Sequence, residues 1–203
     1  LGYDHAWQVE HHFLEEYSHS PVPESFLAAA SQRTKQIQLG HGIMQLTTNH
    51  PARVAEKVAT LDLLSNGRCE FGMGESASIT ELEPFEITME NKREVFEAAV
   101  RAIVPMFKDG PSEHKGKYFN FPLRMVVPKP MQKPHPPLWV ACSQLETLAK
   151  CGEWGMGALG SQFVSADAAH AWVHAYYNAF VKRQKKLADY KTNPNIPLVS
   201  FFM

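Results

Sequence analysis

The sequence lacks the features that mark nucleic-acid-binding and membrane-spanning proteins. Its 203 residues carry 20 Lys and Arg against 21 Asp and Glu, which gives a formal net charge of −1. Binding to a phosphate backbone needs clustered basic residues, and the densest basic run, at 182–186, is typical of a solvated helix end. No apolar run reaches the roughly 20 residues that span a bilayer. We therefore expect a protein that binds neither nucleic acid nor a membrane.

Cysteine is scarce, which limits both disulfide and metal chemistry. The three cysteines, Cys69, Cys142 and Cys151, are odd in number and do not have the spacing of a metal site. Unpaired thiols of this kind are typical of buried residues in a reducing compartment. We therefore expect a cytoplasmic protein without a disulfide framework.

Two glycine motifs of common enzyme folds are also absent. No strand pattern is followed by the glycine-rich turn of a dinucleotide-binding fold, and Gly74-Glu75-Ser76-Ala77-Ser78 lacks the second glycine of a nucleophile elbow. Because the chain has histidines elsewhere, a serine hydrolase with Ser76 or Ser78 as its nucleophile is an alternative. The same loop could cradle a phosphate, but Glu75 and Glu81 would repel it, so a substrate-side role fits better.

The sequence does contain a regular alternation of strand and helix patterns, which is typical of βαβ units around a parallel sheet. The strand patterns cover residues 6–10, 37–42, 69–73, 138–142, 156–159 and 197–203. The helix patterns cover residues 23–34, 51–64, 92–107, 144–152 and 167–190. A small hairpin insertion near 115–127, with its pattern clearest at 118–127, lies outside this repeat.

An open doubly wound sheet and a closed barrel both fit this alternation. A complete (β/α)8 barrel usually takes about 250 residues. Six strand units in 203 residues would therefore be a barrel without its ends. Residues 1–3 resemble the tail of a helix, and 199–203 resemble a strand with nothing after it. We expect one α/β domain over 1–203 that is incomplete at both ends.

Titratable residues gather where the first strand pattern ends, at Glu10-His11-His12-Phe13. The carboxyl ends of barrel strands face the active site, so these residues are candidates by position. Adjacent side chains of a regular strand point to opposite faces, so one histidine would be a base or hydrogen-bond donor and the other structural, with Glu10 as a candidate to orient it. The alternatives are satisfied polar residues, or a metal site that adds His50.

Two further segments follow strand patterns. Gly40-His41-Gly42 ends the second strand, where paired glycines allow a ligand close to the backbone or form a simple bend. Ser143 and Thr147 stand at the start of a predicted helix. Such a position is a ready anion site, and an ordinary N-cap is the alternative.

Four stretches together resemble the bacterial luciferase-like family of flavin-dependent monooxygenases. They are Trp7-Gln8-Val9-Glu10-His11-His12-Phe13; Leu39-Gly40-His41-Gly42 continuing to His50-Pro51-Ala52-Arg53-Val54-Ala55-Glu56; Leu61-Asp62-Leu63-Leu64-Ser65-Asn66-Gly67-Arg68; and Pro137-Leu138-Trp139-Val140-Ala141. They follow the order of the family and extend over most of the chain. The resemblance implies a (β/α)8 TIM-type barrel with its active site at the carboxyl ends of the strands.

The resemblance also implies a reaction. Such oxidoreductases act on paired donors: reduced FMN, usually supplied by a separate flavin reductase, and O2 together oxidise a small organic substrate. His11 matches the family's histidine implicated as a catalytic base, and His12 its polar neighbour, with Glu10 beside them.

The cofactor contacts implied by the resemblance lie at three strand ends. Gly42 and Ile43 match the place where relatives carry a non-proline cis peptide against the flavin, and Gly74 lies at the next strand end. Ser143 and Thr147 match the region that holds the FMN phosphate.

Two positions depart from luciferase itself. Gly74 replaces a reactive cysteine, so light emission is not inferred, and Glu75 replaces a phosphate-contacting arginine. The second change weakens that contact or transfers it to other residues. The family also contains deazaflavin-dependent dehydrogenases and shortened, non-catalytic flavin-binding barrels, which are the alternatives here. Glu10-His11-His12-Phe13 favours the monooxygenase branch.

Relatives in this family dimerise through the two helices that correspond to residues 23–34 and 51–64. Small side chains on both helices would allow a close approach; they are Ala28, Ala29, Ala30, Ala52, Ala55 and Ala59. We therefore expect a homodimer.

Overall fold

The computed structural model describes residues 2–160, 166–184 and 186–197. In chain order its elements are β1 His5–Gln8, α1 Pro23–Arg33, β2 Gln38–His41, β3 Met44–Gln45, α2 Pro51–Leu64, β4 Cys69–Gly74, α3 Ile79–Leu82, α4 Lys92–Phe107, β5 Ser112–Lys115, β6 Asn120–Arg124, β7 Leu138–Cys142, α5 Leu145–Trp154, β8 Gly157–Gly160 and α6 Ala166–Lys182. None of the helices in this described part is long and apolar enough to cross a membrane.

The main sheet is parallel, and its strands follow one another in chain order. The order is β1-β2-β4-β7-β8, and the short β3 pairs with β4. In a doubly wound sheet the strand order reverses at a switch point. Here the order along the sheet follows the chain without a reversal, and the sheet curls like half a barrel. The carboxyl ends of all these strands therefore meet at one edge.

The two faces of the sheet pack differently. On the helix side, Phe71 is fully buried and meets a phenylalanine of α4 edge-on, with 6.0 Å between ring centroids. On the inner side, a Cβ atom on Gly40 would lie 2.2 Å from the Trp7 ring, and one on Gly157 would lie 2.3 Å from the Trp139 ring. The two tryptophan rings meet edge to face at 5.6 Å. Glycines thus make room for the rings that fill the inner face.

One arginine and two left-handed residues fix the end of α2. Asn66 and Gly67 have φ angles of 57° and 76°, the left-handed conformation that is typical of a helix end. The guanidinium of Arg68 then donates five hydrogen bonds of 2.7–3.1 Å, to the Thr34 hydroxyl and to the carbonyl oxygens of Ser31, Thr34, Ile37 and Ser65. These bonds join the ends of α1 and α2 to the start of β2.

The first strand and the hairpin have bounds that differ from the predicted ones, and local hydrogen bonds explain both differences. The first strand ends at Gln8, not at residue 10, because the chain enters a loop in which the His11 N–H donates to the Ser20 carbonyl at 3.0 Å. The hairpin consists of β5 and β6 and starts at Ser112, ahead of the predicted 115–127. The Asn120 side chain closes its turn by bonding both backbone groups of Gly116 at 3.0 and 3.1 Å.

The last helix is shorter than predicted, and one helix is unexpected. α6 ends at Lys182, not near 190, because the chain folds back and buries Tyr190, whose hydroxyl donates to the Trp154 carbonyl at 2.7 Å. α3, Ile79–Leu82, forms where no helix pattern is assigned from the sequence. Of the predicted strand 197–203, residues 198–203 lie outside the described part of the chain.

Candidate active site

The two candidate histidines lie in an irregular loop, not in a regular strand. Strand β1 ends at Gln8, whose carbonyl accepts the N–H of Gly42 at 2.7 Å, and the His11 backbone turns toward Ser20. The alternation expected from a strand therefore does not apply. The side chains of His11 and His12 are 23% and 16% exposed, and each lies against a different buried carboxylate.

Glu10 holds His12. The Glu10 Oε1 atom lies 2.8 Å from His12 Nε2, and Glu10 is 3% exposed. The Asn49 side-chain amide donates to the same oxygen at 2.7 Å, and the Gln45 backbone N–H donates to Oε2 at 3.1 Å. Of the two candidate histidines, Glu10 therefore contacts and orients His12.

Glu81 holds His11. Its Oε1 atom lies 3.1 Å from His11 Nδ1 and accepts the backbone N–H of His12 at 2.9 Å and the Gln45 side-chain amide at 2.7 Å. Its Oε2 atom accepts the Ser76 hydroxyl at 2.7 Å. Burial acts to raise the pKa of Glu81, but the hydrogen bonds, led by that of Ser76, outweigh it and leave the pKa below its usual value.

Gln45 connects the two carboxylates. Its side-chain nitrogen donates to the Glu10 backbone carbonyl at 3.0 Å as well as to Glu81, and its own side chain is 1% exposed. From the sequence alone, Glu81 is only a charge that would repel a phosphate, and Gln45 is not identified as a candidate site residue. A buried glutamate in a one-turn helix has no periodic signal, so only its contacts identify it.

The glycines of the site lie at the ends of β2 and β4. The Gly42–Ile43 peptide bond is cis, as the family resemblance implied. The Ile43 side chain lies against Gly74, where an added Cβ would be 2.6 Å from Ile43 Cδ1 and 3.7 Å from the Ala141 Cβ atom. The ends of β2, β4 and β7 thus meet in one place.

Ser143 and Thr147 lie at the start of α5, next to an arginine from another helix. The Arg93 guanidinium of α4 donates to the Thr147 hydroxyl at 3.3 Å and forms an ion pair with Glu75. Burial raises the pKa of Glu75, which Arg93 opposes. Within the described residues, the N-cap Gln144 makes no side-chain hydrogen bond to the first turn of α5, and Ser143 is exposed.

The described residues do not assemble a serine nucleophile or the proposed metal site. The Ser76 hydroxyl donates to Glu81 and not to a histidine. His50 caps α2 by accepting the Ala52 N–H at 3.2 Å. Over the described ranges, no group of three or more His, Cys, Asp and Glu residues is placed to hold a metal ion.

The remaining polar candidates belong to the core or to the opposite end of the sheet. His41 is fully buried with its ring against Phe71, and burial lowers its pKa, so it is a neutral core residue. A cavity of about 480 Å³ is lined by residues that include His5, Gln38 and Glu70. It lies at the amino ends of the strands, which in barrels serve stability and not chemistry.

A family model described as luciferase-like monooxygenase matches residues 1–200. Among curated relatives, the oxygenase component of the flavin-dependent trigonelline monooxygenase of Acinetobacter baylyi is 32% identical over 145 residues, which cover 69% of this chain and 39% of the relative. The chain spans about half the length of the curated relatives it matches, between 39% and 49%.

Two solved structures share the fold. The oxygenating constituent of 3,6-diketocamphane monooxygenase from Pseudomonas putida, in complex with FMN, gives a TM-score of 0.81 at 21% identity, over 90% of this chain and 54% of that one. The coenzyme F420 dependent tetrahydromethanopterin reductase of Methanopyrus kandleri gives 0.71 at 22%, over 91% and 55%. At these identities the likeness shows the fold alone, and it confirms the predicted barrel-type architecture. With the match over residues 1–200, the chain belongs to the luciferase-like monooxygenase family.

Proposed function

We propose that the protein is a flavin-dependent monooxygenase that uses reduced FMN and O2 to oxidise a small organic substrate. Its active site lies at the carboxyl edge of the sheet, with His11 as the catalytic base and with His12 and Glu10 beside it. The family supports an oxidoreductase that uses a flavin. FMN as the flavin, and the roles of the individual residues, are our proposal.

The observation that carries the proposal is the contact between His11 and Glu81 at this edge. A partly exposed imidazole backed by a buried carboxylate can take a proton from a group bound in front of it, and the carboxylate stabilises the imidazolium that forms. The second pair, His12 and Glu10, supplies another polar group next to it. In parallel barrels, catalytic residues come from this end of the strands.

The residues present fit a flavin phosphate. Ser143 and Thr147 offer hydroxyl groups, the first turn of α5 offers backbone N–H groups, and Arg93 offers a positive charge bonded to Thr147. Arg93 thereby supplies the cation that Glu75 does not. When bound, reduced FMN would supply the electrons that activate O2, while the protein binds it, orients it and excludes water.

The remaining cofactor contacts would come from the adjoining strand ends. Gly42 and Ile43 on one strand end and Gly74 on the next form one packed wall. This wall stands between the His11 loop and the phosphate donors of α5, because β2 and β4 are central neighbours in the sheet order. We therefore assign it to the flavin ring.

Two partners complete the proposal. A separate flavin reductase would supply reduced FMN, and a second copy of the chain would pack on α1 and α2. These helices border a groove of about 340 Å³ whose lining includes Ala28, Leu61 and Leu64. Phe26 and Leu64 nearby are 61% and 49% exposed, which is typical of an interface.

The test is turnover with defined cofactors. The full-length protein would be incubated with a flavin reductase, NADH, FMN and 18O2 over a panel of small organic substrates, and products would be read by mass spectrometry. We expect one 18O atom in the product and no turnover without FMN. Tight FMN binding with no product over the panel would favour the non-catalytic barrel. Turnover with reduced F420 in place of FMN would favour a deazaflavin enzyme.

A further inference from the structure

The two histidines contact their carboxylates through opposite ring nitrogens. His11 faces Glu81 through Nδ1 at 3.1 Å, and His12 faces Glu10 through Nε2 at 2.8 Å. The nitrogen that does not face the carboxylate is therefore Nε2 in His11 and Nδ1 in His12. Which nitrogen carries the proton depends on whether each carboxylate can donate one.

Glu81 has no proton to donate. The backbone N–H of His12 and the side-chain amide of Gln45 both point at Oε1, and both are donors only. The Gln45 amide nitrogen also donates to the Glu10 backbone carbonyl. If the amide were flipped, its oxygen would face two acceptors, the Glu10 carbonyl and Glu81 Oε1, so the nitrogen must lie on this side. At Oε2 the Ser76 hydroxyl donates at 2.7 Å, and despite burial these hydrogen bonds together hold the pKa of Glu81 below its usual value, so the carboxyl group is ionised at neutral pH.

Donors also face both oxygens of Glu10. The side-chain amide of Asn49 donates to Oε1, and the backbone N–H of Gln45 donates to Oε2. The Lys57 ammonium donates to the Asn49 amide oxygen at 3.2 Å, which fixes the amide with its nitrogen toward Glu10. His12 must therefore present an N–H at Nε2.

We propose that Glu81 is the positioning residue of the site: it holds His11 in the tautomer protonated at Nδ1, so that the lone pair that accepts the substrate's proton is on Nε2. The proposal rests on the proposed function of His11 as the base. In the step, the substrate loses one proton, His11 Nε2 gains it, and Glu81 stays ionised beside the imidazolium. Glu10 holds His12 in the opposite tautomer, protonated at Nε2 with Nδ1 bare.

The first experiment reads the tautomers directly. Protein labelled with 15N-histidine would be studied without flavin at a pH where the rings are neutral, and the His11 and His12 signals would be assigned by the loss of each in His11→Ala and His12→Ala. We expect a protonated Nδ1 in His11 and a protonated Nε2 in His12. A His11 ring protonated at Nε2 would overturn the proposal, whatever the activity of the protein.

The second experiment tests whether Glu81 imposes the tautomer. In Glu81→Leu no acceptor remains for a proton on His11 Nδ1, so we expect the ring proton to lose its preference for Nδ1 and kcat to fall roughly a hundredfold or more, with FMN affinity unchanged. Glu81→Asp keeps the carboxylate and should retain the Nδ1–H signal and part of kcat. Glu83→Leu, at an exposed position two residues away, is the matched control and should change neither.

The outcomes separate this proposal from the proposed function. If Glu81→Leu folds and keeps both the His11 tautomer and kcat, Glu81 is only structural. If Glu81→Leu does not fold, the wild-type spectrum and Glu81→Asp still decide the tautomer. If the tautomers are as expected but His11→Ala turns over normally, the positioning by Glu81 stands and the role of His11 as a base fails.

Discussion

The Arg93 guanidinium donates to the Thr147 hydroxyl at 3.3 Å and pairs with the Glu75 carboxylate, so one side chain of α4 connects the ends of β4 and β7. Glu75 follows β4 directly and, taken alone, would repel an anion at this edge. The arginine lies 18 positions further along the chain, on a helix, and reaches the same place only in the folded protein. In the proposed phosphate site, Arg93 would supply the positive charge, and Glu75 holds its side chain in place.

Arg93→Gln should weaken binding of FMN but not of riboflavin, which lacks the phosphate. A hydrogen bond to a charged group contributes about 1.5–3 kcal/mol, so the FMN dissociation constant should rise roughly ten- to a hundredfold. Fluorescence titrations of both ligands measure this. Arg101→Gln, on the same helix and paired with Glu97 on the exposed side, is the control. Equal losses for both ligands would show that Arg93 does not contact the phosphate.

His11→Ala should leave FMN affinity intact and reduce product formation at least about a hundredfold, because general base catalysis typically contributes that much or more. Product formation and FMN binding would be measured on the same preparation. His19→Ala removes an exposed histidine of the same loop, whose ring lies within hydrogen-bond distance of the Glu15 carbonyl, and should behave like the wild type. Unchanged turnover in His11→Ala would remove this residue from the mechanism.

The buried Glu70 should make stability depend on pH. The Trp139 indole donates to it at 2.5 Å, and burial raises the pKa of Glu70 to about 7, from an ordinary value of 4.5. The native protein then binds a proton that the unfolded chain releases, so this contribution is complete below pH 4.5 and is lost as the pH rises through 7. Glu70→Gln should therefore be the more stable protein at pH 8, by up to about 3 kcal/mol, and equal at pH 4.5.

Urea unfolding at both pH values measures this difference. Gln keeps an oxygen that can accept the Trp139 N–H, so loss of that bond does not obscure the result. Glu153→Gln, at an exposed position, serves as the control. The same pH dependence in the wild type and in Glu70→Gln would exclude Glu70 as its source.

Arg68→Lys should destabilise the fold without affecting flavin binding. An ammonium group has three donors and no planar fork, so it cannot replace the five bonds of the guanidinium, and backbone carbonyls lose their partners. We expect a loss of about 1–3 kcal/mol in the free energy of unfolding, measured with urea. Arg33→Lys, exposed at the end of α1, should lose nothing. A fully stable Arg68→Lys would contradict the role given to this network.

Phe26→Lys should convert a homodimer into a monomer, because it places a charge in the exposed apolar surface of α1. Light scattering gives the mass directly. Val181→Lys changes a residue of α6 that is 78% exposed and should leave the dimer intact. A monomeric wild-type protein would overturn the predicted assembly.

The sequence by itself determined the elements whose signals are local. The helices Pro51–Leu64 and Lys92–Phe107 and the strand Leu138–Cys142 have the predicted bounds, because apolar periodicity, a proline at the first turn of α2 and the Asn66-Gly67 stop act over a few residues. The resemblance carried by short motifs then indicated the barrel, and the strand patterns placed Glu10, His11 and Gly42 near the carboxyl ends of β1 and β2.

Only the tertiary structure decided which residues act together at the site. Glu81 meets His11 across 70 positions of sequence, and Arg93 meets Thr147 across 54. Neither contact has a periodic signal, because each depends on how a one-turn helix or a long helix packs against a strand end. The pairing of each histidine with its carboxylate was open in the sequence for the same reason: it depends on an irregular loop, whose side-chain directions no strand rule determines.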